Sequence, residues 1–187
     1  MGGVGVRLVV VRPDDAALLA AASALRTSAE QQLFVKPPAE SFPVAFADPA
    51  RTPFVVLREE EGDDERVVGA GVLHAGAAAP RQDAELAQLL AAAGEDPVTA
   101  VLLRAFVIGE QHQGRGFGTA AARAAVALAP DVTPAASVVV LTVNERNHAG
   151  LRAYARAGFT DVGRYLGGSA GPQRAMTAPC APTGPTG

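Results

Sequence analysis

The stretch of the chain best suited to chemistry is Gln111-His-Gln-Gly-Arg-Gly-Phe-Gly-Thr119, in which three glycines stand at alternate positions. Glycine has no Cβ atom, so a ligand can approach the backbone closely at these positions. An apolar run precedes the stretch and an alanine-rich run, residues 120–129, follows it. This order predicts a strand, a loop and a helix. The N–H groups of the loop and of the first helical turn would then converge on an anion, most often a phosphate.

Two common phosphate loops do not fit this stretch. A Walker A loop has a lysine and a Ser or Thr after its second glycine, and the only lysine, Lys36, lies far from it. A Rossmann loop has the spacing G-x-G-x-x-G and an acidic residue at the end of the next strand. Here the spacing is G-x-G-x-G, and the next apolar run ends in Thr142, Val143 and Asn144. A nucleotide-dependent oxidoreductase is therefore only a weak alternative.

The remaining pattern, Gln113-x-x-Gly116-x-Gly118, resembles the acetyl-CoA pyrophosphate loop of the GNAT superfamily of N-acetyltransferases, Arg/Gln-x-x-Gly-x-Gly/Ala. A second stretch, Asn147 to Phe159, resembles the superfamily's segment of an Asn followed by a helix with a Tyr and a terminal Gly-Phe. The resemblance covers residues 98–162 well and the first half loosely. It implies direct transfer of the acetyl group of acetyl-CoA to a primary amine of a small molecule.

The resemblance also implies where the cosubstrate binds. Backbone N–H groups are expected to hold the pyrophosphate at Gln113, Gly114, Arg115, Gly116, Phe117, Gly118 and Thr119. The backbone of Phe106, Val107 and Ile108 is expected to pair with the pantetheine arm like an added strand. The sheet would separate near Asn144 and open a slot for the thioester. The alternative for the glycine stretch is a strand–helix turn without a ligand.

Tyr154 is the predicted catalytic residue. It lies seven residues after Asn147, so both share one helix face. By resemblance, Tyr154 is the general acid that protonates the departing thiolate, and Asn147 belongs to the cosubstrate site. A phenol with a pKa of about 10 is neutral at pH 7 and can give that proton. The structural alternatives are a half-buried tyrosine, a helix N-cap at Asn147 and a helix terminator at Gly158.

No general base is evident in the sequence. Many relatives carry a Glu on the central strand, whereas residues 98–108 contain no carboxylate and Arg104 is their only charge. Glu110 is more typical of a solvated loop, and His74 is a weak candidate. The three histidines have no metal-ligand spacing, so no metal is expected.

The sequence says less about the amine that accepts the acetyl group. Gln31-x-x-Phe34-Val35 faintly resembles the start of bacterial polyamine acetyltransferases, which favours a polyamine. Acidic residues at positions 30, 40 and 48 would suit a cationic amine, or are simply surface. An antibiotic, an amino acid or a protein N-terminus are alternatives. A different class of function is a non-catalytic acyl-CoA-binding module; the missing carboxylate favours it slightly, and Tyr154 argues against it.

The composition sets the broad class. The 187 residues carry a net charge of −3 and are 49% hydrophobic and 19% charged, which is typical of one globular domain and offers no basic surface for nucleic acid. No apolar run is long enough for a bilayer and no signal region is evident. Cys180 is the single cysteine. We expect a cytoplasmic protein without membrane or nucleic-acid partners, and the family resemblance implies a possible homodimer.

The elements that position these residues follow from periodicity. Strands are predicted at 4–11, 54–58, 66–74, 98–108, 137–143 and 159–165, with a further one at 174–177. Helices are predicted at 13–25, 40–47, 83–93, 119–129 and 147–157; Pro130 is expected to end the fourth. The order predicts a mixed α/β sheet flanked by helices and splayed between its fourth and fifth strands. Residues 1–177 form the predicted single domain and 178–187 a disordered tail.

Overall fold

The computed structural model describes residues 4–59, 66–168 and 171–181, without the side chains of residues 29 and 30. In these ranges the strands are β1 (Val6–Val10), β2 (Arg51–Arg58), β3 (Arg66–Ala75), β4 (Ala100–Ile108), β5 (Val138–Asn144), β6 (Thr160–Tyr165) and β7 (Gln173–Pro179). The α-helices are α1 (Ala16–Ser23), α2 (Ala29–Gln32), α3 (Pro38–Phe46), α4 (Ala84–Ala92), α5 (Phe117–Val132) and α6 (His148–Ala157). A 3-10 turn, Glu110–His112, links β4 to the glycine loop.

All seven strands join one sheet in the order β1-β2-β3-β4-β5-β7-β6. β4 and β5 pair in parallel, and every other neighbouring pair is antiparallel. A parallel pair needs a crossover connection, which α5 supplies. The predicted mixed α/β sheet is confirmed.

Both faces of the sheet are covered by helices, which explains why the central strands are apolar on both sides. On the α5 face, apolar residues of β2 to β5 pack against α5 and α6. On the α4 face, α1 and α3 cover β2 and β3, while α4 covers the start of β4 and β5. Paired residues of neighbouring strands point to the same face of the sheet, so His74 lies on the α4 face with its partner Leu102.

The sheet opens between β4 and β5, as predicted. The two strands pair only at Ala100 to Leu102 of β4, and Leu102 lies opposite Val140. β4 then runs on to Ile108 and β5 to Asn144 without pairing to each other. A bulge lies at this point, where the register between β3 and β4 shifts. Ala105, at the bulge, has a φ of 48°, the left-handed region that a residue with a side chain rarely adopts.

Two predicted boundaries were wrong. Pro130 does not end α5, which continues to Val132. A proline in the last turn costs only one backbone hydrogen bond, and Pro130 is buried in the core, which offsets that loss. The last predicted strand does not end at residue 177, because β7 continues to Pro179 and the N–H of Cys180 donates to the Ser137 carbonyl at 2.9 Å.

The remaining predicted elements are present, with shifted ends. α4 confirms the predicted helical insertion, and the short helix α2 was not predicted from the sequence. Residues 60–65, between the predicted strands at 54–58 and 66–74, and residues 182–187 of the predicted tail lie outside the described residues. Within the described ranges, every helix is too short or too polar to span a bilayer.

Candidate active site

A cleft of about 560 Å³ fills the opening between β4 and β5. It runs from the N-terminus of α5 on one face of the sheet to the connection between α1 and α3 on the other. Its lining residues come from five segments: Ser28, Gln31, Phe34 and Val35; Phe106 and Ile108; Gln113, Gly114, Gly116, Gly118 and Thr119; Thr142 to Asn144 with Gln173; and Arg146 to Gly150, Arg152 to Tyr154 and Arg156.

The glycine loop forms one end of the cleft. Gly114 and Gly116 have φ values of 72° and 89°, a conformation in which glycine is strongly favoured. Gly116 is the N-cap of the 16-residue α5 and has no side chain to cap it. The first N–H groups of α5 therefore have no intrahelical partner and face the cleft with the positive end of the helix dipole. This end of the cleft suits an anion.

The free edge of β4 forms the floor of the cleft. The Ile108 carbonyl accepts hydrogen bonds from the side-chain amides of Gln31 at 3.0 Å and Gln113 at 3.2 Å. On the opposite edge, the N–H of Gly109 donates to Val68 of β3 at 2.9 Å. Because alternate residues of a strand turn their backbone groups to opposite edges, Phe106 and Ile108 present theirs to the opening.

Three predicted cosubstrate residues do not line the cleft. The side chains of Val107 and Phe117 are buried in the two apolar cores, at 2% and 3% exposure. The Arg115 side chain is exposed outside the lining. Only the backbone groups of these three residues can still contribute to the cosubstrate site. Phe117, for example, is the first residue of α5. Thr119 lines the cleft, and its hydroxyl donates to the Ala153 carbonyl at 3.3 Å, which ties α5 to α6.

Asn147 and Gly158 delimit α6. The Asn147 side-chain oxygen accepts from the Gly150 N–H at 2.9 Å, and Gly158 ends the helix with a φ of 100°. Asn147 also lines the cleft. Its predicted role as N-cap is confirmed; its predicted contact with the cosubstrate stays a prediction.

Tyr154 projects from α6 into the cleft. Its ring packs between Phe106, 6.2 Å away between centroids, and Phe159, 5.9 Å away. Burial raises the pKa of the Tyr154 hydroxyl to about 12. Among the described residues the hydroxyl has no hydrogen-bond partner. The phenol is therefore protonated at neutral pH and free to donate to a bound group.

His74 is not arranged as a general base. Its Nδ1 atom lies 3.2 Å from a guanidinium nitrogen of Arg104, and because arginine only donates, Nδ1 accepts. The proton then lies on Nε2, which is 3.6 Å from a carboxylate oxygen of Asp48. Burial, followed by the charges of Arg51 and Arg104, lowers the pKa of His74. The imidazole is neutral, and its one lone pair is already engaged.

Several residues that line the cleft were not predicted as site residues from the sequence. Only some of them lie in a stretch that the sequence analysis had singled out. Gln31, Phe34 and Val35 form the stretch noted above, and the guanidinium of Arg146 lies 5.8 Å from the centre of the Phe34 ring. The arginines of the lining come from the start and exposed side of α6, where arginine is also an ordinary surface residue. The sequence pattern does not distinguish an arginine that lines the cleft from one that lies on the surface.

The charged side chains described in the lining are positive. Arg146, Arg152 and Arg156 contribute guanidinium groups, and among the side chains that the structure describes no carboxylate lines the cleft. Of the acidic residues considered for a cationic acceptor, Asp48 is paired with Arg51 at 2.9 Å. Glu40 lies in the first turn of α3, outside the lining.

A mixed sheet that opens between two parallel strands beside a glycine-capped helix defines the acetyltransferase type of α/β fold. The model of the acetyltransferase (GNAT) family matches residues 20–159, and the chain belongs to this family. A search of curated proteins finds no match.

Solved structures with the same fold include two kinds of N-acetyltransferase. The aminoglycoside acetyltransferase AAC(6')-Ib, in complex with paromomycin and acetyl-CoA, is 18% identical with a TM-score of 0.63; the alignment covers 94% of this chain and 93% of that one. Spermidine N-acetyltransferase from Vibrio cholerae, in complex with CoA and spermine, is 15% identical with a TM-score of 0.60, covering 94% and 95%. At these identities the likeness concerns the fold alone.

Proposed function

We propose that this protein transfers the acetyl group of acetyl-CoA directly to a primary amine of a small molecule. The observation that carries the proposal is one continuous cleft that joins the N-terminus of α5, the unpaired edge of β4 and the Tyr154 hydroxyl. A phosphate site, a strand edge and a proton donor in this order match the three parts of an acyl-CoA thioester: its pyrophosphate, its pantetheine amides and its sulfur.

The cleft fits acetyl-CoA in shape and charge. The uncapped N-terminus of α5 and the glycine backbone suit a pyrophosphate. The three arginines of the lining suit further phosphate oxygens. The free edge of β4 offers backbone groups to an amide-containing arm; there, the side chains of Gln31 and Gln113 already occupy the Ile108 carbonyl, as a bound amide would.

The residues of the cleft can then assist transfer. Bound acetyl-CoA supplies an acetyl group activated as a thioester. The N–H groups of β4 that face the opening can donate to the oxygen on which negative charge develops. Tyr154 holds a proton that can pass to the leaving sulfur. The neutral amine attacks directly, and the proton that its nitrogen loses restores the phenol of Tyr154 after the sulfur has left. The Cys180 thiol lies outside the cleft, and burial raises its pKa, so it is no nucleophile for a covalent route.

The charge of the described lining restricts the class of acceptor amine further than the sequence does. The solved relatives above act on aminoglycosides and spermidine, and the sequence favours a polyamine. A polycation needs carboxylates around it, whereas the described lining holds arginines and none. A small amine with fewer positive charges is therefore the better acceptor, and polyamines serve as the contrast in the test.

Isothermal titration with acetyl-CoA and CoA, with NADH as control, tests the cosubstrate. We expect micromolar binding of both CoA species and none of NADH. Release of the CoA thiol in the presence of an amine panel then tests transfer. Absence of acetyl-CoA binding would overturn the proposal.

The second candidate is an acyl-CoA-binding module without transfer, favoured by the absence of a carboxylate from the described lining. Binding of acetyl-CoA with no thiol release on any amine would support it. Acetylation of a protein N-terminus would appear as transfer to a peptide but to no small amine. The cytoplasmic location and the homodimer stay predictions, which cell fractionation and light scattering test.

A further inference from the structure

Arg104 stands where β4 leaves β5. It is the second residue after the last paired residue, Leu102, and Thr142 is the second after its partner Val140. Leu102 and Val140 both pack under α4, so the side chains two positions further project from the same face of the sheet. Thr142 lines the cleft. The exposed guanidinium of Arg104 therefore lies at the rim of the opening, on the α4 face.

Among the described residues, Arg104 has no carboxylate partner. Its hydrogen bond goes to the neutral His74 at 3.2 Å, and no described carboxylate lies within 4.0 Å of it. Burial and then the neighbouring charge of Arg51 lower the pKa of Arg104, while Asp48 acts in the opposite direction. Two guanidinium groups thus share a region in which the positive charge of Arg104 is not neutralised by an ion pair.

The carboxylates nearby already have protein partners. Asp48 accepts a hydrogen bond from the Ala50 N–H at 3.0 Å and forms an ion pair with Arg51, whose Nε atom lies 2.9 Å from a carboxylate oxygen. On the other side of the rim, Asp83 caps α4 by accepting from Leu86 at 3.0 Å, and its second oxygen accepts from the Tyr165 hydroxyl at 2.6 Å. Each of these oxygens already has a partner within the protein, and none lies within 4.0 Å of the guanidinium nitrogens of Arg104.

His74 fixes the direction of Arg104. Its Nδ1 atom accepts from one terminal nitrogen of the guanidinium, while a guanidinium carries five N–H donors in a planar fork. The remaining donors are free for a ligand, and an arginine fork matches a carboxylate bidentately. A neutral acceptor holds the guanidinium in place without cancelling its charge.

We propose that Arg104 binds a carboxylate of the acceptor, so that the substrate is an amine that also carries a carboxylate, such as an amino acid. This inference rests on the proposed acetyl transfer and names its acceptor class. The ion pair would hold the acceptor by its acid group at the rim and leave its amine directed to the opening between β4 and β5. A polycation placed there would meet the positive charge of Arg104, which no described carboxylate within 4.0 Å neutralises.

The test compares acceptors that differ in one group. Lysine with cadaverine, and phenylalanine with phenethylamine, each differ only in the carboxylate; the carboxamide of each amino acid removes the charge but keeps the size. With thiol release as the readout, we expect kcat/KM to be about 10- to 100-fold higher for the carboxylate member of a pair, as for a charge-assisted hydrogen bond. This comparison uses the unmodified protein and does not depend on the folding of any variant.

Variants then assign the preference to its residue. Arg104→Gln is expected to raise the acceptor KM and to abolish the preference for the carboxylate member, with the acetyl-CoA Kd unchanged. Arg104→Lys keeps the charge without the fork and should retain part of the preference. Arg12→Gln, which removes an exposed arginine between β1 and α1, is the matched control and should change neither value.

The outcomes separate the two proposals. Transfer with equal or better use of the decarboxylated amines or of spermidine overturns the role of Arg104 and leaves acetyl transfer standing. A carboxylate preference that survives in Arg104→Gln also overturns it. Acetyl-CoA binding without thiol release on any amine overturns the proposed function, and the acceptor inference with it.

Discussion

The ring of Tyr154 on α6 packs against the ring of Phe106 on β4, with centroids 6.2 Å apart and planes inclined at 47°. Phe106 also presents its backbone to the opening of the sheet, so this contact fixes the tyrosine at the point where β4 has lost its strand partner. The hydroxyl is desolvated by burial and, among the described residues, makes no hydrogen bond. Such a group contributes little to the fold through its oxygen.

Replacement of Tyr154 by Phe is therefore expected to lower transfer without unfolding the protein. We expect kcat to fall about 100-fold, the lower end for loss of a general acid because a thiolate is a stable leaving group. The free energy of unfolding should change by less than about 0.5 kcal/mol, since no hydrogen bond is lost and the ring contacts remain. Stopped-time thiol assays and urea titrations measure the two quantities. Unchanged kcat would contradict the assignment of Tyr154 as the acid.

The tyrosines also predict how stability depends on pH. Burial raises the pKa of Tyr154 to about 12, and burial together with the hydrogen bond to Asp83 raises the pKa of Tyr165. In the unfolded chain both titrate near pH 10. As the pH rises from about 10 towards 12, the unfolded chain releases protons that the folded chain retains, so the free energy of unfolding falls.

For Tyr154 alone, a pKa of about 12 in the folded protein against about 10 in the unfolded chain corresponds to a loss of about 2 kcal/mol between pH 10 and 12. Urea titrations across this range should show a smaller decrease for Tyr154→Phe than for the unmodified protein. Tyrosinate absorbance gives an independent measurement, because the chain has two tyrosines and no tryptophan. Ionisation of both tyrosines near pH 10 in the folded protein would contradict the prediction.

The glycine loop offers a prediction in which strain and ligand binding can be separated. Gly116 caps α5 with a φ of 89°, a conformation that costs a residue with a side chain about 1–2 kcal/mol. Its added Cβ would approach Val4 at 3.3 Å and stand beside the first N–H groups of α5. Gly116→Ala should therefore lose this stability and weaken acetyl-CoA binding at least about tenfold, as a phosphate could no longer approach the backbone.

Gly94 provides the matched control. Its φ of 83° imposes the same strain, no atom lies within 4 Å of an added Cβ, and it lies outside the cleft. Gly94→Ala should lose a similar amount of stability and keep the acetyl-CoA Kd of the unmodified protein. Calorimetric titration and thermal unfolding compare the pair. Equal Kd values for both variants would mean that the glycine loop does not contact the cosubstrate.

The difference between the two halves of the cleft explains how much the sequence could predict. At the α5 end, the conformation depends on local features: glycine at positive φ, an asparagine cap and an apolar strand leave few alternatives. The loop and the caps were therefore predictable from the residues, whereas the opening of the sheet followed only from the family resemblance. Val107 and Phe117 show the limit, because a motif names positions in the chain and does not tell which of them act through the side chain and which through the backbone.

The acceptor end depends on contacts between distant segments, which no local pattern encodes. The Gln31 amide donates to Ile108, 77 residues away, and Arg104 meets His74, 30 residues away. Each residue taken alone is an ordinary polar or charged side chain. The sequence shows that Arg104 is the only charge on the central strand. That this charge is uncompensated at the rim follows only from the partners of the surrounding carboxylates, which the structure gives.

Asn147 allows the structural and the functional role of one residue to be tested by a single change. Its side-chain oxygen accepts from the Gly150 N–H at 2.9 Å. Aspartate keeps that oxygen and is as good an N-cap as asparagine, and its negative charge is favourable at a helix N-terminus. Asn147→Asp should therefore match or slightly exceed the stability of the unmodified protein, whereas Asn147→Ala should lose about 1 kcal/mol.

Acetyl-CoA binding should separate these variants in a different order. A carboxylate at position 147 would repel the phosphates of a ligand in the same cleft, so Asn147→Asp should bind acetyl-CoA several-fold more weakly in low salt, with the difference shrinking as added salt screens it. The control is the opposite exchange at another cap, Asp83→Asn, which keeps the oxygen that accepts from Leu86 and lies outside the cleft. It should leave the Kd unchanged. An aspartate at 147 that binds acetyl-CoA as tightly as asparagine at low salt would place the phosphates away from α6 and restrict the cosubstrate site to β4 and α5.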